Sequence, residues 1–341
     1  MLKLVCNTRC LQTKLTGVQR YTLEILKHFP KNEVELVKPP DTIARGALGH
    51  LWEQTILPLN IGKSLLWSPS NSGPITLKRQ IVTIHDVVPI DHPEWLNPTF
   101  AKWYNFLMPR LIKNVEHIIT ISEFSKQRIV DLYKIPDSKI SVIYNGVHTK
   151  ELLAENNYEK VELPFKRYVL SLGSLEPRKN LPLLFSSWHK ALNDIPDDVG
   201  LVVVGGIGNK KVFRDTNINS IPDRVLLLGH LSDSKIAYLY RNAMFFVYMS
   251  VYEGFGLPPL EAMAAGTPVL TGNRTSLPEV VQDSGMMIDP FSELDCKNAL
   301  IKLANDEDLR QTLSVKGKLR AEKFDWETSS LSTWNTLEKY L

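Results

Sequence analysis

The feature that most constrains the fold is a regular alternation of short apolar runs with helical stretches, which occurs twice along the chain. In the first half, apolar runs at Ile81–Ile84, His117–Ile121 and Ile140–Tyr144 are each followed by polar residues. The stretch Pro98–Asn114 has the apolar spacing of a helix, and Met1–Cys6 indicates a first buried strand. Buried strands that alternate with helices are typical of parallel sheets covered on both faces.

The same pattern begins again after the polar, charged segment 154–164, which we interpret as a linker. The later part of the chain predicts strands at Tyr168–Leu172, Leu201–Val204, Val225–Leu228 and Phe245–Tyr248, and helices at Leu181–Leu192 and Asp233–Arg241. We therefore predict an α/β chain with two doubly wound, Rossmann-like domains, residues 1–153 and 165–325. A last helix, 326–341, is expected to pack back onto the first domain. Ligands of such sheets bind at the carboxyl ends of the strands.

Composition narrows the classes of protein that this chain can be. Its three cysteines, Cys6, Cys10 and Cys296, are too few for a disulfide framework or a zinc cluster. We detect neither a signal peptide nor an apolar run long enough to cross a bilayer, so we expect a cytoplasmic protein. Asp306-Glu-Asp308 has the form of a metal-binding motif, but its charged helical surroundings favour a solvated face, and we predict no metal or cofactor.

Charge is unevenly distributed along the chain. Residues 1–150 contain 19 Lys and Arg against 12 Asp and Glu, whereas the remainder contains 21 against 25. A basic first half suggests an anionic partner, such as a diphosphate-bearing acceptor or the inner face of the membrane. The alternative is a scattered basic surface without a partner. Nucleic acid is disfavoured, because no compact basic patch is interleaved with aromatic residues.

The segment Glu253-Gly-Phe-Gly-Leu-Pro-Pro-Leu-Glu261 has the strongest chemical signature. A buried strand precedes it, and its prolines suit the first turn of a helix. The helix N-terminus, together with Gly254 and Gly256, would offer backbone N–H groups to a diphosphate. Glu253 in the loop and Glu261 near the first turn would each accept hydrogen bonds from hydroxyls, one from a sugar and one from a ribose.

A second segment, Leu172-Gly-Ser-Leu-Glu-Pro-Arg-Lys-Asn180, places two adjacent cations between a strand and a helix. Arg178 and Lys179 would supply the positive charge that a leaving diphosphate needs. The alternative interpretation is a solvated basic turn. Gly205-Gly-Ile-Gly208 lacks the third glycine and the acidic partner of a dinucleotide fingerprint, so we interpret it as a strand-end turn.

These segments together resemble the retaining GT-B glycosyltransferases of family 4. The resemblance also rests on five further segments, in the order expected for that family: Thr16-Gly-Val-Gln-Arg-Tyr21, His85-Asp-Val-Val-Pro89, Ile121-Ser-Glu-Phe-Ser-Lys126, Asn145-Gly-Val147 and Phe324-Asp-Trp-Glu327. Ser276-Leu-Pro-Glu279 fits as well, so the resemblance covers nearly the whole chain. Within the family the likeness is greatest to bacterial mannosyl- and rhamnosyltransferases of polysaccharide assembly.

The resemblance implies a role for each matching residue. Glu253 would contact the donor sugar, His85 would lie beside the transferred sugar, and Arg178 and Lys179 would neutralise the diphosphate, which makes these four the candidate catalytic residues. The candidate donor-binding residues are Gly17, Gly173, Ser174, Leu231, Gly254, Phe255, Gly256, Leu257 and Glu261. The candidate acceptor-side residues are Asp86, Ser122 and Asn145.

The expected function is metal-independent hexosyl transfer, with retention at the anomeric carbon, to a glycan or lipid-linked acceptor of cell-surface polysaccharide synthesis. GDP-mannose is the first choice of donor, dTDP-rhamnose the second, and UDP-hexoses follow. A nucleotide-sugar 2-epimerase and a sugar-binding protein without catalysis are the alternatives. The segment from Glu253 to Glu261 argues against the first, and intact Arg178 and Lys179 argue against the second.

Overall fold

The structure, a computed structural model, describes residues 3–13, 16–30, 33–149, 152, 159–205 and 221–341. The chain forms two compact units. The first comprises Met1–Asp91, Thr99–Gly146 and Phe324–Leu341, and the second comprises His92–Pro98 and Val147–Lys323. Residues 92–98 and 147–149 group with the second unit, whereas the sequence analysis drew the first domain as residues 1–153.

The first unit contains a six-stranded parallel sheet in the order β2-β1-β3-β4-β5-β6. Its strands are β1 (Leu4–Asn7), β2 (Val34–Val37), β3 (Leu65–Ser68), β4 (Gln80–Ile84), β5 (His117–Thr120) and β6 (Ile140–Val142). Its helices up to β6 are α1 (Gly17–Lys27), α2 (Gly46–Ile61), α3 (Val88–Asp91), α4 (Pro98–Asn114) and α5 (Glu123–Tyr133). Fully buried aliphatic strands between helices are the expected form of a parallel sheet.

The second unit also contains six parallel strands, in the order β12-β11-β10-β7-β8-β9. They are β7 (Arg167–Leu172), β8 (Val199–Val204), β9 (Val225–Leu228), β10 (Phe245–Tyr248), β11 (Val269–Gly272) and β12 (Met286–Ile288). Its helices are α6 (Leu181–Ala191), α7 (Asp233–Asn242), α8 (Leu257–Ala264), α9 (Leu277–Val281), α10 (Glu293–Asn305) and α11 (Glu307–Ala321). Trp188, Phe245 and Leu300 are buried in its core.

The last helix, α12 (Trp326–Glu338), lies in the first unit. Trp334 contacts Phe29 with ring centroids 5.3 Å apart, and the Ser330 hydroxyl donates to the carbonyl of Ile25 at 2.7 Å. Leu337 is fully buried. One face of α12 is therefore buried against α1 and the residues that follow α1.

The two doubly wound sheets that the sequence predicted are confirmed, and every predicted strand is present with ends shifted by no more than three residues. The sequence analysis assigned no strand to β2, β3 or β12 and no helix to the segments that form α1, α2, α3, α5, α9 and α10. Strand β3 follows α2 after only Gly62, Lys63 and Ser64, so two apolar segments of different period lie close together in the sequence. Gly206–Gly208 of the predicted turn and residues 154–158 of the predicted linker lie outside the described residues.

Gly146→Ala tests the packing of α12 at its first turn. A Cβ at Gly146 would lie 2.2 Å from the backbone nitrogen of Trp326, whereas at exposed Gly229 it would meet nothing within 4 Å. We expect Gly146→Ala to lower the free energy of unfolding by about 1–3 kcal/mol, the usual cost of overpacking. Thermal denaturation measures the effect, with Gly229→Ala as the control. Equal melting temperatures for the two variants would contradict the contact.

Candidate functional site

Glu253 lies between β10 and α8 at the carboxyl edge of the second unit's sheet, and it is only 7% exposed. Its Oε1 accepts hydrogen bonds from Lys179 Nζ at 2.7 Å, from the Ser250 hydroxyl at 2.6 Å and from the Tyr248 hydroxyl at 2.8 Å. Its Oε2 accepts from Arg178 Nη1 at 2.9 Å. One buried carboxylate therefore holds both cations that the sequence singled out.

The side chains of this cluster shift one another's pKa values and so determine which of them are charged. Burial raises the pKa of Glu253, but the adjacent Arg178 and Lys179 and the hydrogen bonds from Lys179 and Ser250 together lower it to about 2. Burial and the Arg178 charge lower the pKa of Lys179, while Glu253 opposes that shift. Burial is the main reason why the pKa of Tyr248 lies well above its usual value, and the Glu253 charge adds to this shift. Glu253 is accordingly ionised and Tyr248 is a neutral donor at neutral pH.

The turn between β7 and α6 carries Arg178 and Lys179, and contacts within it also hold these two side chains in place. Arg178 Nε donates to Glu176 Oε2 at 2.9 Å, and the Arg178 carbonyl accepts from Val251 N at 2.8 Å. Gly173 lies beside Lys179, because a Cβ there would come within 3.3 Å of Lys179 Cγ. Ser174 donates to Glu176 Oε1 at 2.5 Å. The structure thus brings Gly173, Ser174, Arg178 and Lys179 together with Glu253.

The amino end of α8 offers fewer backbone donors than the sequence suggested. Gly256 precedes the helix with a φ of +111°, a left-handed conformation that favours glycine, and a Cβ there would lie 2.8 Å from Leu277 Cδ2. Pro258 and Pro259 occupy the second and third helical positions and carry no N–H. A phosphate at this end would therefore rely on Leu257 and on the loop that contains Gly254 and Phe255.

Glu261 is the fifth residue of α8 and lies directly after the first turn of the helix. Its Oε2 accepts from the Tyr240 hydroxyl at 3.1 Å, and that hydroxyl also lies 3.2 Å from the Pro258 carbonyl. Leu231 follows β9 and is half-buried before α7. Tyr240 is a contact of the candidate ribose ligand that the sequence analysis did not consider.

His85 directly follows β4 in the first unit and is 5% exposed. Burial lowers its pKa to about 4, although a hydrogen bond with the Pro69 carbonyl opposes the shift. Nε2 lies 2.8 Å from that carbonyl, which can only accept, so Nε2 carries the proton and Nδ1 keeps its lone pair. Tyr21 contacts the ring edge-on, with centroids 4.7 Å apart. His85 is thus a neutral imidazole in a fixed orientation.

The remaining candidates of the first unit have different environments. Gly17 is exposed in the first turn of α1, and a Cβ there would meet nothing within 4 Å. Asp86 Oδ1 accepts from Val88 N at 3.2 Å. Ser122 is fully buried and caps α5 by accepting from Ser125 N at 3.1 Å. Asn145 is 2% exposed, and its Oδ1 has no hydrogen-bond partner within the part of the chain that the structure describes.

Three contributors to the second unit's cluster were missed from the sequence: Glu176, Tyr248 and Ser250. Tyr248 and Ser250 were detectable in principle, because residues two apart on a strand share one face, and this strand runs into the glutamate loop. Glu176 carries no such signal, since only the folded turn brings it to Arg178. Tyr252 is a further neighbour; His92, in the segment 92–98, contacts its ring at 5.4 Å.

The acidic triplet that has the form of a metal-binding motif lies at the start of a helix. Asp306 caps α11 by accepting from Leu309 N at 2.8 Å, so the acidic triplet begins a helix. Across the described ranges no three His, Cys, Asp or Glu side chains are grouped so that they could hold a metal ion. Among the helices that the structure describes, none combines the length and apolar character needed to span a bilayer.

Comparisons with known proteins agree with this geometry. The family model described as Glycosyl transferases group 1 matches residues 155–320, and that described as Glycosyltransferase Family 4 matches residues 74–151. O-antigen chain mannosyltransferase B of Escherichia coli is 26% identical over 98% of this chain and 99% of its own. O-antigen chain mannosyltransferase RfbU of Salmonella typhimurium is 28% identical over 70% of this chain and 64% of its own, slightly under two thirds.

Solved structures show the same fold. Anabaena Alr3699/HepE, in complex with UDP-glucose, is 18% identical with a TM-score of 0.73 and covers 99% of this chain and 100% of its own. WaaG, a glycosyltransferase involved in lipopolysaccharide biosynthesis, is 15% identical with a TM-score of 0.65 over 98% of this chain and 99% of its own.

Glu253→Gln tests the ionised carboxylate. Because the folded pKa is about 2 and the ordinary value is 4.5, ionised Glu253 should stabilise the fold by about 3 kcal/mol. This stabilisation is complete above pH 4.5 and is lost as the pH falls towards 2. We therefore expect wild type and variant to differ by a constant free energy of unfolding near neutral pH, and by progressively less below pH 4.5.

Chemical denaturation at a series of pH values measures this difference. Glu322→Gln is the matched control, since Glu322 is exposed in the same unit. A difference between wild type and Glu253→Gln that stayed constant down to acid pH would mean that Glu253 is not held ionised by its neighbours.

Proposed function

Since this chain belongs to the GT4-like glycosyltransferases of GT-B fold, we propose that it transfers a mannosyl unit from GDP-mannose to a growing cell-surface glycan, with retention at the anomeric carbon. The observation that carries the proposal is the cluster in which Glu253 holds Arg178 and Lys179 at the carboxyl edge of the second sheet. Mannose is supported by the relatives, because several whose names specify a sugar are mannosyltransferases.

Leaving-group stabilisation is the chemistry that this cluster can supply. When the bond between the anomeric carbon and the phosphate oxygen breaks, negative charge develops on the nucleoside diphosphate. Arg178 and Lys179 are already oriented by Glu253 and Glu176, so they need no rearrangement as that charge appears. These two cations would do the neutralising that a metal does in other transferases, and we propose transfer without a metal.

Retention follows from attack on the same face. The acceptor oxygen bonds to the anomeric carbon as the diphosphate leaves, and the acceptor proton passes to the leaving phosphate oxygen. Both oxygens of Glu253 already accept hydrogen bonds from this chain, which suits it to a positioning role and not to forming a covalent intermediate. Proton NMR of the first product formed reads its anomeric configuration, and an inverted product would refute this scheme.

Lys179→Ala and Arg178→Ala test the electrostatic role. Each removes one preorganised cation, so we expect kcat to fall by about 10²-fold or more. The control is Lys190→Ala on α6, because Lys190 pairs with Glu293 at the surface and its side chain is 55% exposed. Steady-state assays with a radiolabelled donor measure the effect. Turnover within a few-fold of wild type in both site variants would eliminate the assigned role.

The donor is tested by the thermal shift that nucleotides produce. A nucleotide that binds only the folded state stabilises it by about 2.7 kcal/mol at 100 times its Kd. We expect GDP to raise the melting temperature more than UDP or dTDP does. The Anabaena structure with UDP-glucose supports the main alternative, a UDP-hexose donor, and a larger response to UDP or dTDP would replace mannose by that alternative or by rhamnose.

Peripheral membrane contact is proposed for the first unit, on the cytoplasmic face where nucleotide sugars would be available. An open concavity of about 770 Å³ lies where β4, β5 and β6 begin, and its cationic lining residues are Lys78, Arg79, Lys113, Lys139 and Lys339. Glu116 is the acidic side chain among its lining residues. This surplus of cations suits anionic lipid headgroups.

Vesicle sedimentation tests this proposal. Wild type should sediment with vesicles that contain anionic phospholipid and not with neutral ones, and added salt should release it. Lys113→Glu with Lys339→Glu should weaken sedimentation, whereas Lys190→Glu in the second unit should not. Equal binding to neutral and anionic vesicles would contradict an electrostatic contact.

A further inference from the structure

A second buried charge cluster lies at the carboxyl edge of the first unit's sheet. Glu53 on α2 is fully buried. Its Oε1 accepts from Arg9 Nε at 3.2 Å and from Asn7 Nδ2 at 2.7 Å, and its Oε2 accepts from Arg9 Nη2 at 3.3 Å. The Ser72 hydroxyl donates to the same carboxylate. Arg9 follows the end of β1 and Ser72 follows the end of β3, so the cluster faces the edge where ligands of such sheets bind.

The cluster is electrically balanced. Burial raises the pKa of Glu53, but Arg9, His50 and the hydrogen bond from Ser72 lower it to about 2. Glu53 is therefore ionised, and its charge offsets that of Arg9. The Arg9 side chain remains 13% exposed, and its Nη1 donates to no residue in the described ranges. Arg9 thus keeps free donors without presenting net positive charge.

Aromatic side chains flank these donors. His50 lies one turn before Glu53 on α2, with its Nδ1 3.5 Å from Arg9 Nη2. The indole of Trp103, on α4, contacts the His50 ring with centroids 5.2 Å apart. Trp103 Nε1 is buried and has no hydrogen-bond partner among the residues that the structure describes. A desolvated donor without an acceptor is costly, which indicates that a ligand or a water completes it.

The same loop connects this cluster to His85. Ser72 contacts Glu53, while Asn71 Oδ1 accepts from His85 N at 2.5 Å and the Pro69 carbonyl accepts from His85 Nε2 at 2.8 Å. Four consecutive residues therefore span the distance between the candidate catalytic histidine and the charge cluster. A sugar bound at the cluster would lie next to the one that His85 is expected to adjoin.

We propose that Arg9, His50 and Trp103 form a subsite for a neutral sugar ring of the acceptor glycan, and that Glu53 is the positioning residue that holds Arg9. The proposal rests on the proposed function, because it assigns the acceptor of that transfer. A balanced ion pair attracts an anion only weakly, whereas its free N–H groups can donate to sugar hydroxyls. The indole supplies an amphipathic surface with its own donor. The cluster therefore favours a neutral, hydroxyl-rich ligand over a phosphate.

The test compares sugar binding with anion binding in matched variants. The sugar probes are the methyl glycosides of mannose, rhamnose, glucose, galactose and N-acetylglucosamine, followed by saturation-transfer NMR. The anion probe is inorganic diphosphate, followed by the broadening of its phosphorus NMR signal. Trp103→Phe keeps an aromatic ring and removes Nε1, and Arg9→Lys keeps the charge and removes the planar fork. Lys102→Gln is the control, since Lys102 is exposed on the same helix.

We expect wild type to bind at least one methyl glycoside. Its Kd should rise about fivefold in Trp103→Phe and about tenfold or more in Arg9→Lys, which are the losses expected for a neutral and a charged hydrogen bond. The control should leave it unchanged. Glu53→Gln should raise the acceptor KM more than it lowers kcat, which a general loss of folding would not do.

Three results would overturn the subsite: no methyl glycoside binds wild type, both variants bind the sugar as wild type does, or the variants lose diphosphate binding and keep sugar binding. The proposed function is judged separately, by the nucleotide-induced thermal shift of wild type and by donor hydrolysis without acceptor. If those two fail while the glycoside results stand, the chain binds sugars without the proposed transfer.

Discussion

The second unit's candidate site depends on one interaction, the buried carboxylate of Glu253 between Arg178 and Lys179. Two segments meet at it: the turn after β7 and the loop that runs from the end of β10 to α8. Its four hydrogen bonds use both oxygens. Removing one partner from such a buried pair leaves an uncompensated charge, which typically costs about 3–5 kcal/mol. The position of the cations is thus coupled to the stability of the fold around them.

In this arrangement the hydrogen-bond donors are held in fixed orientations, but the site carries little net positive charge. Arg178 and Lys179 are matched by two acidic side chains, Glu253 and Glu176, and two prolines remove donors from the amino end of α8. A diphosphate would therefore meet a few oriented donors and not a strongly positive surface. Oriented donors stabilise charge that develops during a reaction more than charge that is already present, because they need not move as it forms.

The sequence predicted both sheets, and it singled out Glu253, Arg178 and Lys179 as parts of one site, because buried strands, glycines and prolines act locally. It did not predict Glu176 or Tyr248 as partners of the cations, because Glu176 reaches Arg178 only through the folded turn and Tyr248 lies 69 residues from Lys179. Strand β3 was missed because it directly follows the apolar helix α2. The start of α8 at Leu257 was predicted, because Pro258 and Pro259 suit the first turn of a helix.

The structure shows where the excess Lys and Arg side chains of the first half of the chain lie. Near the carboxyl edge, Arg9 is balanced by Glu53, so that edge gains little from the surplus of positive charge. The concavity lined by Lys78, Arg79, Lys113, Lys139 and Lys339 lies instead at the edge where the strands begin. Charge that repels or attracts an anion acts mainly within about 10 Å in physiological salt. The sequence-wide asymmetry therefore bears on the membrane contact that we propose for the amino edge, and the chemistry of the carboxyl edge has to be argued from its own electrically balanced, hydrogen-bonding side chains.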